Sequence, residues 1–350
     1  MLFQTVTAVN YLPMALVLAS TLKQHITGAR LSILVTDASP YVIVQIREKF
    51  SGVADFICCD DLLVENLVVM RSYYSVLEFS SACKILALDY QLRKRGENAC
   101  YFIDPDMVVM GDFTKFTEEM DQDIVLTYHT LKPYPQDGHL PNELELVVSG
   151  TINGGFIYMR NSKRVLEALD WLIEQINYRW FVAPAYGMYG DQHWLGFLLQ
   201  FFGDITSVLH LPNINIAYWN LHSSLLREED GKFFLGDDDK FPALLFHFSG
   251  FSNTGELKLS RHSQRKFDST TEASIMKLVQ KYRQDIATEK SRVVNSAISG
   301  DLGFSSQPLH KRMGIASQIY SYSFIEVTQP VGQFAEIGNI IDRWLKRITK

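Results

Sequence analysis

From Tyr101 to Met110 the chain reads YFIDPDMVVM, an apolar run broken by Asp104 and Asp106 with one proline between them. Carboxylates in the middle of apolar sequence are costly unless something binds them. Residues i and i+2 of an extended segment point to the same side, so the two carboxylates share a face. Pro105 lacks an N–H and fixes its own φ, so the chain leaves a sheet ladder there with a stiff local shape. Two oxygen ligands at a strand end favour a hard divalent cation, Mn²⁺ or Mg²⁺. The bland alternative is a turn with two solvated aspartates, but Met107 to Met110 continues apolar instead of opening into a polar loop. Leu244 to Phe251, LLFHFSGF, delivers His247 from a second apolar run. A lone histidine there is usually a satisfied core residue; next to an aspartate pair it becomes a candidate third metal ligand.

Other residues carry chemistry of their own. Lys84 lies inside the apolar helix pattern SACKILALDY, where it either reaches an anion or snorkels to solvent. TAVNYLP, Thr7 to Pro13, offers Asn10 and Tyr11 at a strand-helix junction, where a base could stack and hydrogen-bond. Gly150 to Ser162, GTINGGFIYMRNS, sets Asn153, Gly154 and Gly155 before a strand, and paired glycines mark close approach of the backbone to something. Tyr189 to Leu199, YGDQHWLGFLL, starts a helix with Asp191 and Gln192, and Asp191 also suits a helix cap. Leu211 to His222, LPNINIAYWNLH, mixes amides with aromatics, which fits either carbohydrate contact or a core strand burying Tyr218 and Trp219.

The elements that must position these residues alternate. Strands are expected at Phe3 to Val9, Leu31 to Thr36, Ala54 to Cys58 and Ala99 to Ile103, with helices at Leu12 to Lys23, Tyr41 to Phe50 and Ser80 to Leu92. That alternation predicts an α/β fold, a mixed and mostly parallel central sheet flanked by helices. In such open sheets ligands bind outside the carboxyl ends of the strands, which is where Asp104 and Asp106 emerge.

Taken together the series resembles the retaining nucleotide-sugar glycosyltransferases of the GT-A fold related to glycogenin and to bacterial lipopolysaccharide galactosyl- and glucosyltransferases, that is, glycosyltransferase family 8. The resemblance runs in order over about residues 3 to 265: TAVNY, the helix lysine, DPD as a DxD motif, NGGFIYMRNS, DQ, and His-x-x-Gly in HFSG. It implies a Rossmann-like nucleotide-binding half plus an acceptor half, with domain bounds 1–268 and a C-terminal extension 269–350. It implies Asp106 and His247 as metal ligands, with Asp104 on the metal or the donor ribose. Thr7, Asn10 and Tyr11 would line a uridine pocket, and Lys84 would contact donor phosphate or sugar. Asn153, Gly154, Gly155, Asp191 and Gln192 would surround the transferred sugar, with Asp191 and Gln192 the candidates for stabilising its cationic centre. Gly250 closes the His-x-x-Gly element. The family's following lysine-proline-tryptophan is missing, so the diphosphate clasp falls to Lys258, Arg261, His262 or Arg265. The implied activity is hexosyl transfer from a nucleotide-sugar donor, a UDP-hexose, to a glycan, lipid-linked or protein acceptor. Two other classes compete. One is an aspartate-nucleophile phosphatase using Asp104, weakened because about 100 residues precede the motif and the later acid run GDDDK, Gly236 to Lys240, lies in polar sequence. The other is a non-catalytic nucleotide-sugar or glycan binder.

Composition bounds the rest. At 350 residues, 47% hydrophobic and 21% charged, the chain can bury a large core. A net charge of -6 argues against nucleic acid as a partner and leaves any anionic substrate to a few placed cations or a metal. No apolar stretch reaches the ~20 residues of a bilayer span, and the start lacks a signal-peptide pattern, so a cytoplasmic protein is expected. The four cysteines show no metal spacing or disulfide framework. Thr270 to Gln284 reads as a helix followed by a linker-like polar stretch. At the end, Ile340, Ile341, Trp344, Leu345 and Ile348 share one face of a basic amphipathic helix, either packed on the domain or in peripheral contact with an anionic membrane surface.

Overall fold

The structure is a computed structural model that describes residues 1–118, 121–236, 241–296 and 298–320. Its strands are β1 (Leu2–Thr7), β2 (Arg30–Val35), β3 (Asp55–Cys58), β4 (Ala99–Ile103), β5 (Met107–Val109), β6 (Ile124–Tyr128), β7 (Ile152–Arg160), β8 (Val182–Ala183), β9 (Met188–Tyr189), β10 (Thr206–Leu209), β11 (Leu226–Glu229), β12 (Lys232–Leu235), β13 (Phe241–Pro242) and β14 (Leu245–His247). Its helices are α1 (Leu12–His25), α2 (Pro40–Lys49), α3 (Leu67–Tyr73), α4 (Val76–Asp89), α5 (Thr114–Glu118), α6 (Glu143–Ser149), α7 (Lys163–Ile176), α8 (Gln192–Phe201), α9 (Ser269–Val294) and α10 (Leu309–Tyr320).

Seven strands form the central sheet in the order β10-β6-β7-β4-β1-β2-β3. All run parallel except β7, which is antiparallel to both β4 and β6. The expected mixed, mostly parallel α/β sheet is therefore present. β1 is buried along its whole length, as a strand covered by helices on both faces must be. One apolar layer joins the sheet to α4, α7 and α8, and a second joins its other face to α1 and α2. A third cluster packs α9 against Phe246 and Phe248 around β14.

Element edges moved where local chemistry ruled. The helix expected from Ser80 begins at Val76, because Ser75 and Glu78 form a capping box that satisfies the first turn's N–H groups reciprocally. The helix expected at Thr270 to Gln284 runs on to Val294, since Ile286 and Val293 extend its buried stripe beyond Tyr282. The polar stretch after it returns to the body: Ile298 is buried, Phe304, Leu309 and Met313 pack on the core, and α10 lies against α3. Gly154 and Gly155 lie inside β7, not before it. Leu211 to His222 is loop apart from a bridge between Ile216 and Phe246, with Trp219 buried. The C-terminal amphipathic segment and residues 237–240 of the acid run fall outside the described residues. No helix among the described residues is long and apolar enough to cross a membrane.

Candidate metal and donor site

Topology assembles the site from segments far apart in sequence. Asp104 follows β4 directly, and its backbone N–H donates to the Gly155 carbonyl at 2.9 Å, so the start of antiparallel β7 lies beside the end of β4. β5, immediately after the two aspartates, pairs antiparallel with β14 and sets Met107 opposite His247. The Phe248 N–H then donates to the Asp106 carbonyl at 2.9 Å. These ladders put His247 Nε2 3.2 Å from Asp106 Oδ1 and 3.9 Å from Asp104 Oδ2. One ligand atom from each of the three residues lies within 4.8 Å of the others. Two carboxylates and an imidazole converging at that distance form a donor set that fits a divalent cation of the Mn²⁺ type.

Lys84 does not snorkel. Its ammonium lies 2.9 Å from Asp104 Oδ1 and 2.9 Å from Asp191 Oδ2, donates to the Gly154 carbonyl at 3.1 Å, and rests over the Phe102 ring. Burial alone would push this lysine toward neutrality; the two carboxylates reverse that and hold it well above its ordinary value. Asp104 answers in the opposite sense: burial pushes its carboxyl up, aided by Asp106 and Asp191 and opposed by Lys84 and His247. The cluster thus sets three carboxylates against one ammonium.

Asp191 occupies the position before α8 yet makes no side-chain cap; its carboxylate turns to Lys84 instead. The paired glycines make this possible. A Cβ on Gly154 would stand 2.1 Å from Asp191 Oδ2, and one on Gly155 would stand 2.7 Å from His247 Cε1. What these glycines approach closely is the site's own acid and imidazole. Asn153 is buried in β7, and Gln192 donates to the Ser149 carbonyl at 2.8 Å while accepting from Asn153 at 3.4 Å.

The remaining predicted residues lie around this centre. Thr7 is buried at the end of β1 with its hydroxyl donating to the Ala8 carbonyl, and Asn10 and Tyr11 stand exposed on the short turn that follows. Val9 of that turn donates to Asp37 Oδ1 at 2.8 Å, tying the ends of β1 and β2 together. Gly250 has φ +72°, and a Cβ there would meet His262 and Ser260. Arg261 donates its N–H to the Gly250 carbonyl. Lys258 forms an exposed pair with Glu256. Arg265 is engaged elsewhere: it binds Asp137 at 2.7 Å and the Pro141 carbonyl at 2.8 Å, pinning the loop before α6.

Three residues of this region were not foreseen as a group. His247 Nδ1 lies 3.1 Å from Asn215 Oδ1, and Asn215 in turn reaches Asn153. His129 lies 3.2 Å from Asn153. Burial pushes the His129 imidazole down to about 4, against the hydrogen bond it makes to Thr151. Trp219 stands edge-on to both histidines, 5.0 Å from His247 and 5.3 Å from His129.

No family model matches the chain. The uncharacterised protein YfnF of Bacillus subtilis (strain 168) is 29% identical over 102 residues, which are 29% of this chain and 33% of that protein. The chain thus spans about a third of the length of the curated relative it matches. Among solved structures it is similar to the galactosyltransferase LgtC in complex with donor and acceptor sugar analogs, at TM-score 0.49 and 13% identity, over 82% of this chain and 96% of that one. It is also similar to the glycosyltransferase GlyE of Streptococcus pneumoniae TIGR4, at TM-score 0.45 and 15% identity, over 87% of this chain and 65% of that one. A third is mouse xyloside xylosyltransferase 1, at TM-score 0.40 and 15% identity, over 71% of this chain and 97% of that one.

Proposed function

We infer that the chain is a metal-dependent glycosyltransferase of the GT-A type that moves a hexosyl group from a nucleotide diphosphate sugar, a UDP-hexose, to a glycan, lipid-linked or protein acceptor with retention. One observation carries the reading. Three carboxylates, the buried Asp191 and the partly buried Asp104 and Asp106, face a single ammonium at the carboxyl edge of the parallel strands, beside the end of β1. The excess of two negative charges is what one divalent cation neutralises, and His247 adds a nitrogen ligand. The resemblance in sequence supplies the donor class.

A cation held by Asp104, Asp106 and His247 would supply Lewis-acid stabilisation of charge on a departing diphosphate. The protein's own groups do the rest. Lys84 fixes Asp104 and Asp191 relative to one another and contributes positive charge beside the diphosphate. Asp191 and Gln192 stabilise the cationic sugar centre. Asn10 and Tyr11 hold the nucleoside at the end of β1. Thr7 shapes that turn from beneath, and Asn153 with the glycine pair lines the sugar's side. Gly250 and Lys258 belong to the wall around the diphosphate. Positioning and exclusion of water supply most of the acceleration, since admitted water hydrolyses the donor.

Calorimetric titration of UDP and GDP, with Mn²⁺ and with EDTA, tests this on the wild type and on Asp106→Ala. The expected result is Mn²⁺-dependent UDP binding that the substitution abolishes, followed by turnover of a UDP-sugar. Hydrolysis of a generic phosphate ester through Asp104, with neither nucleotide bound, would replace the reading by the phosphatase one.

A further inference from the structure

The amides and imidazoles behind His247 form one hydrogen-bonded chain whose direction is set by a single backbone group. The Gly155 N–H can only donate, and it lies 3.0 Å from the Asn153 amide. That atom is therefore oxygen. Asn153 must then turn its NH₂ toward His129 Nε2, at 3.2 Å, and His129 Nδ1 donates to the Thr151 carbonyl at 3.2 Å. On the other side, the Asn153 oxygen also accepts from Asn215 at 2.9 Å, so the Asn215 atom there is its NH₂, which donates as well to Thr127 Oγ1 at 2.8 Å. The Asn215 oxygen is left facing His247 Nδ1 at 3.1 Å. An amide oxygen cannot donate, so His247 carries its proton on Nδ1. Its Nε2 is thereby the ring nitrogen turned to Asp104 and Asp106, on the side where a cation would be held.

Backbone structure holds Asn215 for this task. Ile216 donates to the Leu245 carbonyl at 2.9 Å and accepts from the His247 N–H at 2.7 Å, so the neighbouring loop is clamped to β14. Asn215 is fully buried and has φ +61°, a conformation asparagine tolerates better than most residues.

We propose that Asn215 is a positioning residue for the metal centre: through the Asn153–His129 chain it fixes the tautomer and ring orientation of His247, and thereby the preference of the site for Mn²⁺ over Mg²⁺. Metal-bound histidines depend on such partners for tautomer and orientation. The imidazole is the ligand that distinguishes the two cations, because Mg²⁺ is satisfied by carboxylates and water whereas Mn²⁺ gains from nitrogen. The proposal rests on the metal site of the reading above, not on its donor.

Two measurements test it. Long-range ¹H–¹⁵N correlation spectra of the metal-free wild type should show a proton on His247 Nδ1, the nitrogen that faces Asn215; an Nδ1 without a proton overturns the proposal without any variant. Asn215→Gly removes the acceptor while accepting the positive φ, and calorimetry with Mn²⁺ and Mg²⁺ should then show Mn²⁺ affinity lower by about 10- to 100-fold. Mg²⁺ affinity should fall by no more than about threefold, because its oxygen ligands remain. Equal losses for both cations, or no loss of Mn²⁺, overturns it. A wild type that binds no Mn²⁺ also overturns it, whereas Mn²⁺ binding without nucleotide binding leaves it standing and fails only the transferase reading.

Discussion

Helix α4 carries two charge clusters within two turns of each other, one buried at Glu78 and one partly buried at Lys84, and they are built on opposite plans. At its first turn Glu78, only 1% exposed, meets Arg312 from α10, one charge against one. Its remaining acceptor capacity goes to the Ser75 N–H and hydroxyl and to the Val182 N–H at 2.9 Å. Further along, Lys84 meets Asp104 and Asp191 with Asp106 beyond, one ammonium against three carboxylates. A buried ion pair repays its desolvation only when partners and hydrogen bonds are complete. The first cluster satisfies that condition and joins α4, the β8 strand and the C-terminal return. The second does not, and a protein that keeps such an imbalance keeps it for something added. Completeness suits a structural cluster, and the deficit leaves the second cluster able to take a cation.

The largest expected effect comes from the unbalanced side. Asp106→Ala removes a ligand and one excess charge together. Mn²⁺ binding should vanish in calorimetry while the metal-free variant melts no lower than the metal-free wild type. The wild type should gain about 2.7 kcal/mol when Mn²⁺ stands at 100 times its dissociation constant. A metal-free variant that is strongly destabilised would mean that Asp106 is a structural acid and the comparison fails.

Glu78→Gln attacks the balanced side. It leaves the Arg312 guanidinium buried without its counter-charge, and breaking such a pair costs about 3–5 kcal/mol. Urea unfolding should register that loss, with Mn²⁺ affinity of the folded protein unchanged. Lost Mn²⁺ binding at intact stability would erase the distinction between the clusters.

A third buried ionisable group lies outside both. His129 has its imidazole pushed from 6.5 down to about 4, chiefly by burial. The sign follows from linkage: the folded state holds this proton more weakly than the unfolded chain, so stability is intact above 6.5 and drains as pH falls toward 4. The difference corresponds to about 3 kcal/mol once both states are protonated. In His129→Gln, unfolding measured by urea on either side of that window should show a correspondingly smaller acid loss, with carboxylates and other histidines contributing equally to both proteins. An unchanged slope would mean that His129 takes up its proton in the folded state.

How much of this was legible in sequence depended on whether a residue interrupts a pattern. Asp104, Asp106 and His247 break apolar strands, so their cost in the core announced a role. Lys84 announced itself the same way, although two readings stood until its ammonium was found between two carboxylates. Asp191 fitted a helix cap equally well, and only the close approach of Gly154 decides where its carboxylate points. The central sheet followed from alternation, with β4 at its expected bounds. Asn215 and His129 are ordinary polar residues whose partners come from other segments, so spacing could not join them. A weak signal existed: Asn215 sits between Ile214 and Ile216, both buried, and a buried amide needs partners. Glu78 and Arg312 are 234 residues apart, a distance that leaves no local trace. The Ser75-x-x-Glu78 box, by contrast, was written in the sequence as SVLE and fixes where α4 begins.

That box yields the smallest test. Ser75→Ala removes the hydroxyl that accepts from the Glu78 N–H and donates to its carboxylate, but leaves Glu78 and Arg312 facing each other. If charge balance is what makes this cluster structural, the loss should stay near the ~1 kcal/mol typical of a helix cap. A loss as large as that of Glu78→Gln would assign the stability to hydrogen-bond connectivity instead. The contrast with the Lys84 cluster would then lie in how many partners each carboxylate has, since Asp191 Oδ2 has no hydrogen bond of good geometry although the Lys84 ammonium stands 2.9 Å away. Urea unfolding of the two variants side by side separates these accounts, because one predicts unequal losses and the other equal ones.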